Sequence, residues 1–284
     1  MRIKRVGIVG CGLMGSGIVQ VAAQSGYEVA VCEVSQEVLD KGMKRIEKSL
    51  AKGVEKGKMT EDQKHATLSN ITATTKLKDL KESDLIVEAV IENIELKKDI
   101  FGKLDEICRA EVIFSSNTSS ISIIDIASAT KRPDQFLGLH FFNPVPVMKL
   151  VEIVRSIVTS DETYETAKAF SESLGKHVVT AKDTPGFIVN LLLIPYLLDA
   201  IRAFESNVAT REDIDAGMKL GCNMPMGPLE LTDFIGVDTI LYIADVMYNE
   251  FRDPKYAAPP LLRKMVVAGL HGRKSGKGFY DYGA

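Results

Sequence analysis

The sequence of 284 residues contains little cysteine and little histidine, with four residues of each. The cysteines, Cys11, Cys32, Cys108 and Cys222, are far apart and form no Cys-x-x-Cys pair. Zinc sites and disulfide frameworks need closer or patterned cysteines, so neither is expected and no metal is predicted. Unpaired cysteines of this kind fit a reducing compartment.

An excess of basic residues is also lacking, because 35 Lys and Arg stand against 38 Asp and Glu, a net charge of −3. Nucleic-acid-binding domains usually carry a basic excess, so we expect no nucleic-acid partner. The hydrophobic share of 45% and the charged share of 26% are those of an ordinary globular protein. The length suits one large domain or two of ordinary size.

Long apolar runs are absent as well. The most apolar stretch, 187–201, is interrupted by Asn190, Pro195 and Asp199. Because a transmembrane helix needs about 20 apolar residues, this stretch predicts a buried helix and no membrane partner. The apolar run that follows Met1 is too short for a secretory signal, so the sequence predicts a cytoplasmic protein.

Short β-rich runs alternate with longer amphipathic segments over the first two thirds of the chain. The β-rich runs are 3–9, 28–32, 84–90 and 111–115, and helical spacing marks 14–26, 35–57 and 93–109. This alternation predicts helices on both faces of a mostly parallel sheet. Nearly continuous apolar runs such as 6–9 are typical of strands buried on both faces. We therefore predict an α/β fold with a Rossmann-type, doubly wound sheet.

The pattern of the sequence changes at the turn signal Asp183-Thr184-Pro185-Gly186. Beyond it only helical patterns are found, at 187–206, 210–220, 227–250 and 259–269. The sequence therefore predicts two domains, a dinucleotide-binding domain over 1–183 and an all-helical domain over 184–284.

The string Gly10-Cys11-Gly12-Leu13-Met14-Gly15 follows the first predicted strand and opens a helix. In a Gly-x-Gly-x-x-Gly loop the first glycine permits the turn, the second lets the backbone approach a pyrophosphate, and the third lets helix and strand pack closely. The helix N-terminus then offers free amides to the phosphates. We predict a dinucleotide-binding loop formed by Gly10, Gly12, Leu13, Met14 and Gly15, the alternative being a plain tight turn.

Glu33 ends the second predicted strand, where a carboxylate accepts hydrogen bonds from the ribose hydroxyls of a dinucleotide. It would also repel a 2′-phosphate, and the following Val34-Ser35-Gln36 supplies no arginine to receive one. The sequence therefore favours NAD over NADP as the cofactor. The alternative is that Glu33 is only a solvated strand end.

The polar cluster Ser116-Asn117-Thr118-Ser119-Ser120 follows the predicted strand 111–115. In open α/β sheets ligands lie beyond the carboxyl ends of the strands, so this cluster is suitably placed for a substrate.

Two extended runs, 135–142 and 147–154, flank a proline-containing turn. If they form a hairpin centred on Pro146, His140 faces Glu152 across the two strands. A histidine beside a carboxylate is the arrangement of a general base whose imidazolium is oriented and stabilised. The alternative is that His140 is merely a core residue of an apolar strand.

These residues resemble the L-3-hydroxyacyl-CoA dehydrogenase family, and most of all its short bacterial 3-hydroxybutyryl-CoA dehydrogenases. The similarity covers essentially the whole chain. The matching segments are Gly10–Gly15, Val87–Asn93, Ser116–Ser120, His140–Glu152, Pro185–Asn190, Pro225–Pro228 and Gly272–Tyr280.

The resemblance implies that His140 is the catalytic base, that Glu152 is its partner, and that Ser119 and Asn190 hydrogen-bond the reacting oxygens. It places four residues near the nicotinamide half of the cofactor, namely Glu92, Lys97, Asn143 and Lys274. The residues alone leave other interpretations open. Glu92 and Lys97 could form a pair on a helix surface. Asn190 could cap a helix, and Lys274 could be a solvated charge. The chain departs from the family at Leu191, where an arginine is usual.

A stripe of lysines extends along the predicted helix 35–57, at Lys44, Lys48, Lys52 and Lys56. Lysine can bind phosphate as a point charge, and coenzyme A carries several phosphate charges. A solvated helix face is the alternative. The resemblance points to an acyl-CoA substrate held by Ser49, Lys52 and Lys56 together with Ser119 and Asn143.

The sequence thus predicts an NAD-dependent oxidoreductase that interconverts (3S)-3-hydroxybutyryl-CoA and acetoacetyl-CoA in butyrate and fatty acid metabolism. Closure about residues 183–187 would exclude water, and the resemblance implies a homodimer through the helical domain. The alternatives are a dehydrogenase of another small 3-hydroxy acid or polyol, and a non-catalytic NAD-binding protein.

Overall fold

The computed structural model describes residues 2–283. The chain divides into two compact units, Met1–Thr184 and Pro185–Ala284. Each unit has a hydrophobic core of its own.

The first unit is built on one eight-stranded sheet. Its strands are β1 (Arg5–Val9), β2 (Glu28–Cys32), β3 (Ile71–Thr74), β4 (Leu85–Glu88), β5 (Ile113–Ser116), β6 (Phe136–Phe141), β7 (Leu150–Arg155) and β8 (His177–Lys182). The strand order is β3-β2-β1-β4-β5-β6-β7-β8, and only the β6–β7 pair is antiparallel. The order reverses between β1 and β4, which is the switch point where doubly wound sheets bind their ligands. The predicted Rossmann-type, mostly parallel fold is confirmed.

In the described part of this unit, six α-helices accompany the strands of the sheet. They are α1 (Leu13–Gln24), α2 (Gln36–Glu55), α3 (Glu61–Ser69), α4 (Ile94–Ile107), α5 (Ile123–Ala127) and α6 (Asp161–Ser173). Several begin at side chains that accept a backbone N–H of the first turn, among them Ser35, Asn93 and Ser160. Thr60 and Gln63 form a complete capping box at α3.

The structure adds two strands, β3 and β8, that the apolar pattern does not reveal. Both lie at the edges of the sheet. An edge strand has a neighbour on one side only and tolerates polar residues, as in Ile71-Thr72-Ala73-Thr74 of β3. The central strand β4 is fully buried instead, and its apolar run is continuous.

The second unit is helical. Its α-helices are α7 (Val189–Glu205), α8 (Arg211–Ala216), α9 (Pro228–Ile235), α10 (Val237–Phe251) and α11 (Pro260–Val267). The helical pattern expected over 227–250 is wrong as one continuous element, because the chain breaks at Gly236 with φ of 111°. Only glycine adopts such a conformation readily. Among residues 2–283, no helix has both the length and the apolar character to cross a bilayer.

Candidate active site

The glycine loop joins β1 to α1 at the carboxyl edge of the sheet. Gly10 has φ of 97°, and a Cβ there would lie 2.7 Å from the carbonyl oxygen of Ala89. A Cβ at Gly15 would overlap the carbonyl of Gly10, whereas a Cβ at Gly12 would meet nothing within 4 Å. Turn and packing therefore require glycine at 10 and 15, while open space lies beside Gly12 for a ligand to approach the backbone.

Glu33 follows β2 directly and is fixed against the glycine loop. Its carboxylate accepts hydrogen bonds from the amides of Cys11 and Val34, both at 2.7 Å. A cavity of about 570 Å³ opens beside it, with apolar walls contributed by Val34, Val38, Leu77, Ile91, Leu96 and Ile100, and with Gly10, Gly12 and Glu33 at its rim. An apolar slot with a carboxylate next to a glycine loop fits the adenosine half of a dinucleotide.

Two cysteines lie close to this loop. Burial, with a smaller contribution from the Glu33 carboxylate, raises the pKa of the Cys11 and Cys32 thiols to about 11. Both are therefore neutral at physiological pH, which suits packing and not nucleophilic chemistry.

A buried ionic network lies beyond β4 and β5. The Lys97 ammonium, on α4, is 2.7 Å from Oε1 of Glu88 and 3.3 Å from Oε2 of Glu92. The second carboxylate oxygen of Glu88 accepts the hydroxyl of Ser116 at 2.6 Å. Because the Lys97 side chain is only 1% exposed, the alternative of a helix-surface pair is wrong.

Glu92 connects this network to the polar cluster after β5. Its Oε1 accepts the amide of Ser119 at 2.6 Å, the hydroxyl of Ser119 at 3.1 Å and the hydroxyl of Thr118 at 2.9 Å. Asn117 links the same segment to β6, since its Oδ1 accepts the amide of Phe141 at 2.9 Å. Ser119 is thereby held in a defined orientation next to the end of β6.

His140 and Glu152 form a pair across the one antiparallel junction of the sheet. The register pairs His140 with Glu152, as the hairpin centred on Pro146 predicts. Nδ1 of His140 lies 2.6 Å from Oε2 of Glu152, and the side chains are 8% and 0% exposed. The ring of Phe142 lies 4.5 Å from the imidazole, centroid to centroid. A hydrogen bond from Nδ1 leaves Nε2 as the ring nitrogen that can accept a proton.

A smaller cavity of about 180 Å³ lies between α1, α2 and the segment 143–146. It brings together Ser49 and Asn143, two of the predicted substrate-binding residues. Arg45, one turn before Ser49, lines the same cavity and was missed by the sequence reasoning. Lys52 and Lys56 are exposed, and Lys56 is the C-cap of α2.

Asn190 and Lys274 belong to the second unit. Asn190 is the buried second residue of α7, and the N-cap is Ile188, so the alternative of a helix cap is wrong for Asn190. The neighbouring Leu191, at the position of the family's usual arginine, packs against the core of this unit. The Lys274 ammonium is 2.6 Å from a carboxylate oxygen of Asp238.

Glu88, Ser116 and Asn117 lie in segments that the sequence analysis names, but their supporting role was not predicted. The available signal was weak, since Glu88 is simply an acid at the end of an apolar strand. Among the residues described, no group of three or more His, Cys, Asp or Glu side chains is arranged to hold a metal ion.

Comparison with known proteins covers both units. The family model described as "3-hydroxyacyl-CoA dehydrogenase, NAD binding domain" matches residues 5–184. The model described as "3-hydroxyacyl-CoA dehydrogenase, C-terminal domain" matches residues 186–282.

Individual relatives agree over the full length. The "Probable 3-hydroxybutyryl-CoA dehydrogenase" of Deinococcus radiodurans is 52% identical over 278 residues, covering 98% of this chain and 100% of that protein. The "3-hydroxybutyryl-CoA dehydrogenase" of Clostridioides difficile is 48% identical over 278 residues, covering 98% and 99%. The crystal structure of (S)-3-hydroxybutyryl-CoA dehydrogenase from Ralstonia eutropha superposes with a TM-score of 0.96 at 47% identity, covering 99% of this chain and 100% of that one. This chain therefore belongs to the 3-hydroxyacyl-CoA dehydrogenase family, is an oxidoreductase, and carries the family's nicotinamide-dinucleotide-binding domain.

Proposed function

We propose that this enzyme interconverts (3S)-3-hydroxybutyryl-CoA and acetoacetyl-CoA, with NAD as its cofactor. The observation that carries the proposal is the buried His140–Glu152 pair at the ligand-binding edge of a dinucleotide-binding sheet. The names of relatives at about half identity support the short-chain substrate.

The chemistry follows from the orientation of His140. When bound, the nicotinamide cofactor supplies the acceptor for the hydride that leaves C3 of the substrate. Nε2 of His140 accepts the proton of the substrate hydroxyl, while the Nδ1 proton is held by Glu152. The Glu152 carboxylate stabilises the imidazolium that forms. In the reverse direction His140 donates the proton to the oxygen of the keto group.

Ser119 and Asn190 are proposed to hydrogen-bond the reacting oxygens of the substrate. The fixed orientation of Ser119 supports this role, because the Glu92 carboxylate accepts hydrogen bonds from both the amide and the hydroxyl of Ser119. Such preorganisation removes the cost of orienting the group during the reaction.

The cofactor is proposed to lie across the switch point between β1 and β4. The glycine loop, including Leu13 and Met14, holds the phosphates, and Glu33 binds the ribose of the adenosine half. Glu33 is also the reason to propose NAD rather than NADP, since its carboxylate would oppose a 2′-phosphate. On the nicotinamide side the proposed residues are Glu92, Lys97, Asn143 and Lys274. The burial of Lys97 supports an action through Glu88 and Glu92.

The acyl carrier is proposed to lie along α2. Ser49 and Asn143 share the smaller cavity, and the exposed Lys52 and Lys56 continue from it toward the end of the helix. Exposed lysines along this helix would bind the phosphates of coenzyme A.

Closure about residues 183–187 is also part of the proposal. Asp183 is held on the first unit by the amides of Ile123 and Ile124, both at 2.8 Å. Gly186 and Phe187 follow with φ of 82° and 52°, a sharp local turn between the two units. Dimerisation through the helical domain and a cytoplasmic location stay predictions.

One assay tests the proposal. Oxidation of NADH, followed by absorbance, is measured with acetoacetyl-CoA, with longer 3-ketoacyl-CoA thioesters and, separately, with free acetoacetate. We expect saturable turnover of the thioester only. Turnover of the free acid at equal efficiency would favour a dehydrogenase of a small hydroxy acid, and no turnover with any acyl length would favour a non-catalytic protein.

A further inference from the structure

Lys176 places a buried ammonium group under the segment that joins β6 to β7. It immediately precedes β8, and the residue is 8% exposed. Its Nζ donates hydrogen bonds to the carbonyls of Val145 at 2.5 Å and Met148 at 2.7 Å. Both of these partners are neutral carbonyls. Within residues 2–283 the Lys176 ammonium forms no ion pair.

Burying a lysine without a carboxylate partner is unfavourable, because the ammonium loses its hydration. This desolvation lowers the pKa of Lys176 from its usual value. A methionine would fill nearly the same space without that cost. The presence of a lysine at this position is therefore explained by the hydrogen bonds that its ammonium donates to two backbone carbonyls.

The segment 142–149 also carries a proposed site residue. Asn143 lies two residues before Val145 and lines the smaller cavity together with Ser49. The segment folds back on itself, since the carbonyl of Pro144 accepts the amides of Val147 and Met148, both at 2.9 Å.

The segment also packs closely against α1. A Cβ added at Gly17 would lie 2.8 Å from Cβ of Val145. Val145 is thus confined between the small face of α1 and the Lys176 ammonium. A displacement of the Val145 carbonyl would move Asn143, because only one residue separates Val145 from Asn143.

We propose that Lys176 is a positioning residue, which fixes the segment 142–149 so that Asn143 stands at the correct place for the acyl-CoA substrate. This inference rests on the proposed function, since it assigns Asn143 to the substrate. It makes Lys176 act through the backbone carbonyls and not by touching the substrate.

The test compares Lys176→Met with Lys176→Gln. Methionine keeps the volume and removes the donors, whereas glutamine is shorter but still donates hydrogen bonds. Loss of charge-assisted hydrogen bonds should raise KM for acetoacetyl-CoA about tenfold in Lys176→Met. Lys176→Gln should recover part of this loss. Equal or better performance of the methionine variant would mean that Lys176 only fills space, and would overturn the proposal.

A second measurement is independent of turnover. Amide hydrogen exchange of 142–149 should be faster in Lys176→Met than in the wild type, because the segment has lost its clamp. The matched control is Phe101→Leu, a core change on α4 that lowers stability away from this segment. Unchanged exchange in Lys176→Met, or equal acceleration in Phe101→Leu, would refute the clamp. If the wild type does not turn over acetoacetyl-CoA, the proposed function fails, while the exchange data still decide the role of Lys176.

Discussion

The ammonium of Lys97 and the carboxylate of Glu88 form an ion pair that is almost completely shielded from water. Nζ of Lys97 lies 2.7 Å from Oε1 of Glu88, and the two side chains are 1% and 0% exposed. Glu92 lies 3.3 Å from the same ammonium. One cation therefore serves two carboxylates, and one of these carboxylates orients Ser119.

Lys97→Met should cost more stability than Glu88→Gln. Removing the ammonium leaves the carboxylates of Glu88 and Glu92 without their shared cation. Loss of one partner of a buried pair typically costs about 3–5 kcal/mol. In Glu88→Gln the ammonium still has Glu92. Urea unfolding measures both free energies, with Lys103→Met as the control because its pair with Asp99 is exposed and should be worth less than about 1 kcal/mol. Equal losses in the two buried variants would contradict the shared-cation arrangement.

Much of the fold could be predicted because its central strands are buried on both faces. Such strands, β1 and β4 among them, carry nearly continuous apolar runs, at 6–9 and 85–87, and stand out in the sequence. The edge strands β3 and β8 are partly solvated and lack that signal. The break between α9 and α10 was hidden because the apolar spacing continues through Gly236, and only the backbone reveals the positive φ.

The candidate site divides in the same way. The glycine loop is a local motif, and the His140–Glu152 register follows from the arithmetic of one hairpin. Lys97 and Lys176 could not be predicted as buried, because their partners lie elsewhere in the chain. Those of Lys97 are at the end of β4 and after it, and those of Lys176 are in the segment between β6 and β7. In the sequence each looks like an ordinary surface lysine, and long-range packing alone makes it a support of the site.

Glu33→Ala should weaken the preference for NADH over NADPH. The wild-type carboxylate opposes a 2′-phosphate and accepts hydrogen bonds from ribose hydroxyls, so its removal should lower kcat/KM for NADH and raise it for NADPH. The measurement is the ratio of the two kcat/KM values with acetoacetyl-CoA. A wild-type enzyme that already prefers NADPH would show that Glu33 does not select the cofactor.

Asp84 should make the stability of the first unit depend on acid pH. Burial alone would raise its pKa, but the amides of Arg5 and Lys4 and the guanidinium of Arg109 outweigh it and hold the pKa of this carboxyl below its ordinary 3.8. A lowered folded-state pKa contributes stability above the unfolded-state pKa, which is lost as pH falls through the folded value.

Asp84→Asn should therefore destabilise the protein at pH 7, and the difference from the wild type should shrink as the pH falls below about 4. Urea unfolding across this range measures it. Glu111→Gln, at an exposed position, is the control and should show no such trend. A difference that stays constant down to pH 3 would exclude the ionised carboxylate as its origin.

Lys52→Ala and Lys56→Ala should raise KM for acetoacetyl-CoA and leave kcat nearly unchanged. Charges that bind the nucleotide end of the carrier stabilise ground state and transition state equally, which is the signature of uniform binding. Lys103→Ala on α4 is the matched control for an exposed lysine. The same variants should have no effect on a thioester truncated at pantetheine. An equal rise in KM for that short thioester would mean that Lys52 and Lys56 do not bind the phosphates of coenzyme A.

His140→Gln should lower kcat by about 10²–10⁴-fold, the usual contribution of a general acid–base group, while the affinity for NADH stays nearly intact. Glu152→Gln retains the size of the side chain and a hydrogen-bond acceptor for Nδ1, but removes the charge that stabilises the imidazolium. Its cost should therefore also fall on kcat. Since the two side chains lie 2.6 Å apart and act on one proton, the double variant should be hardly slower than the worse single variant. Losses that multiply in the double variant would mean that His140 and Glu152 act independently, and the proposed base pair would then be wrong.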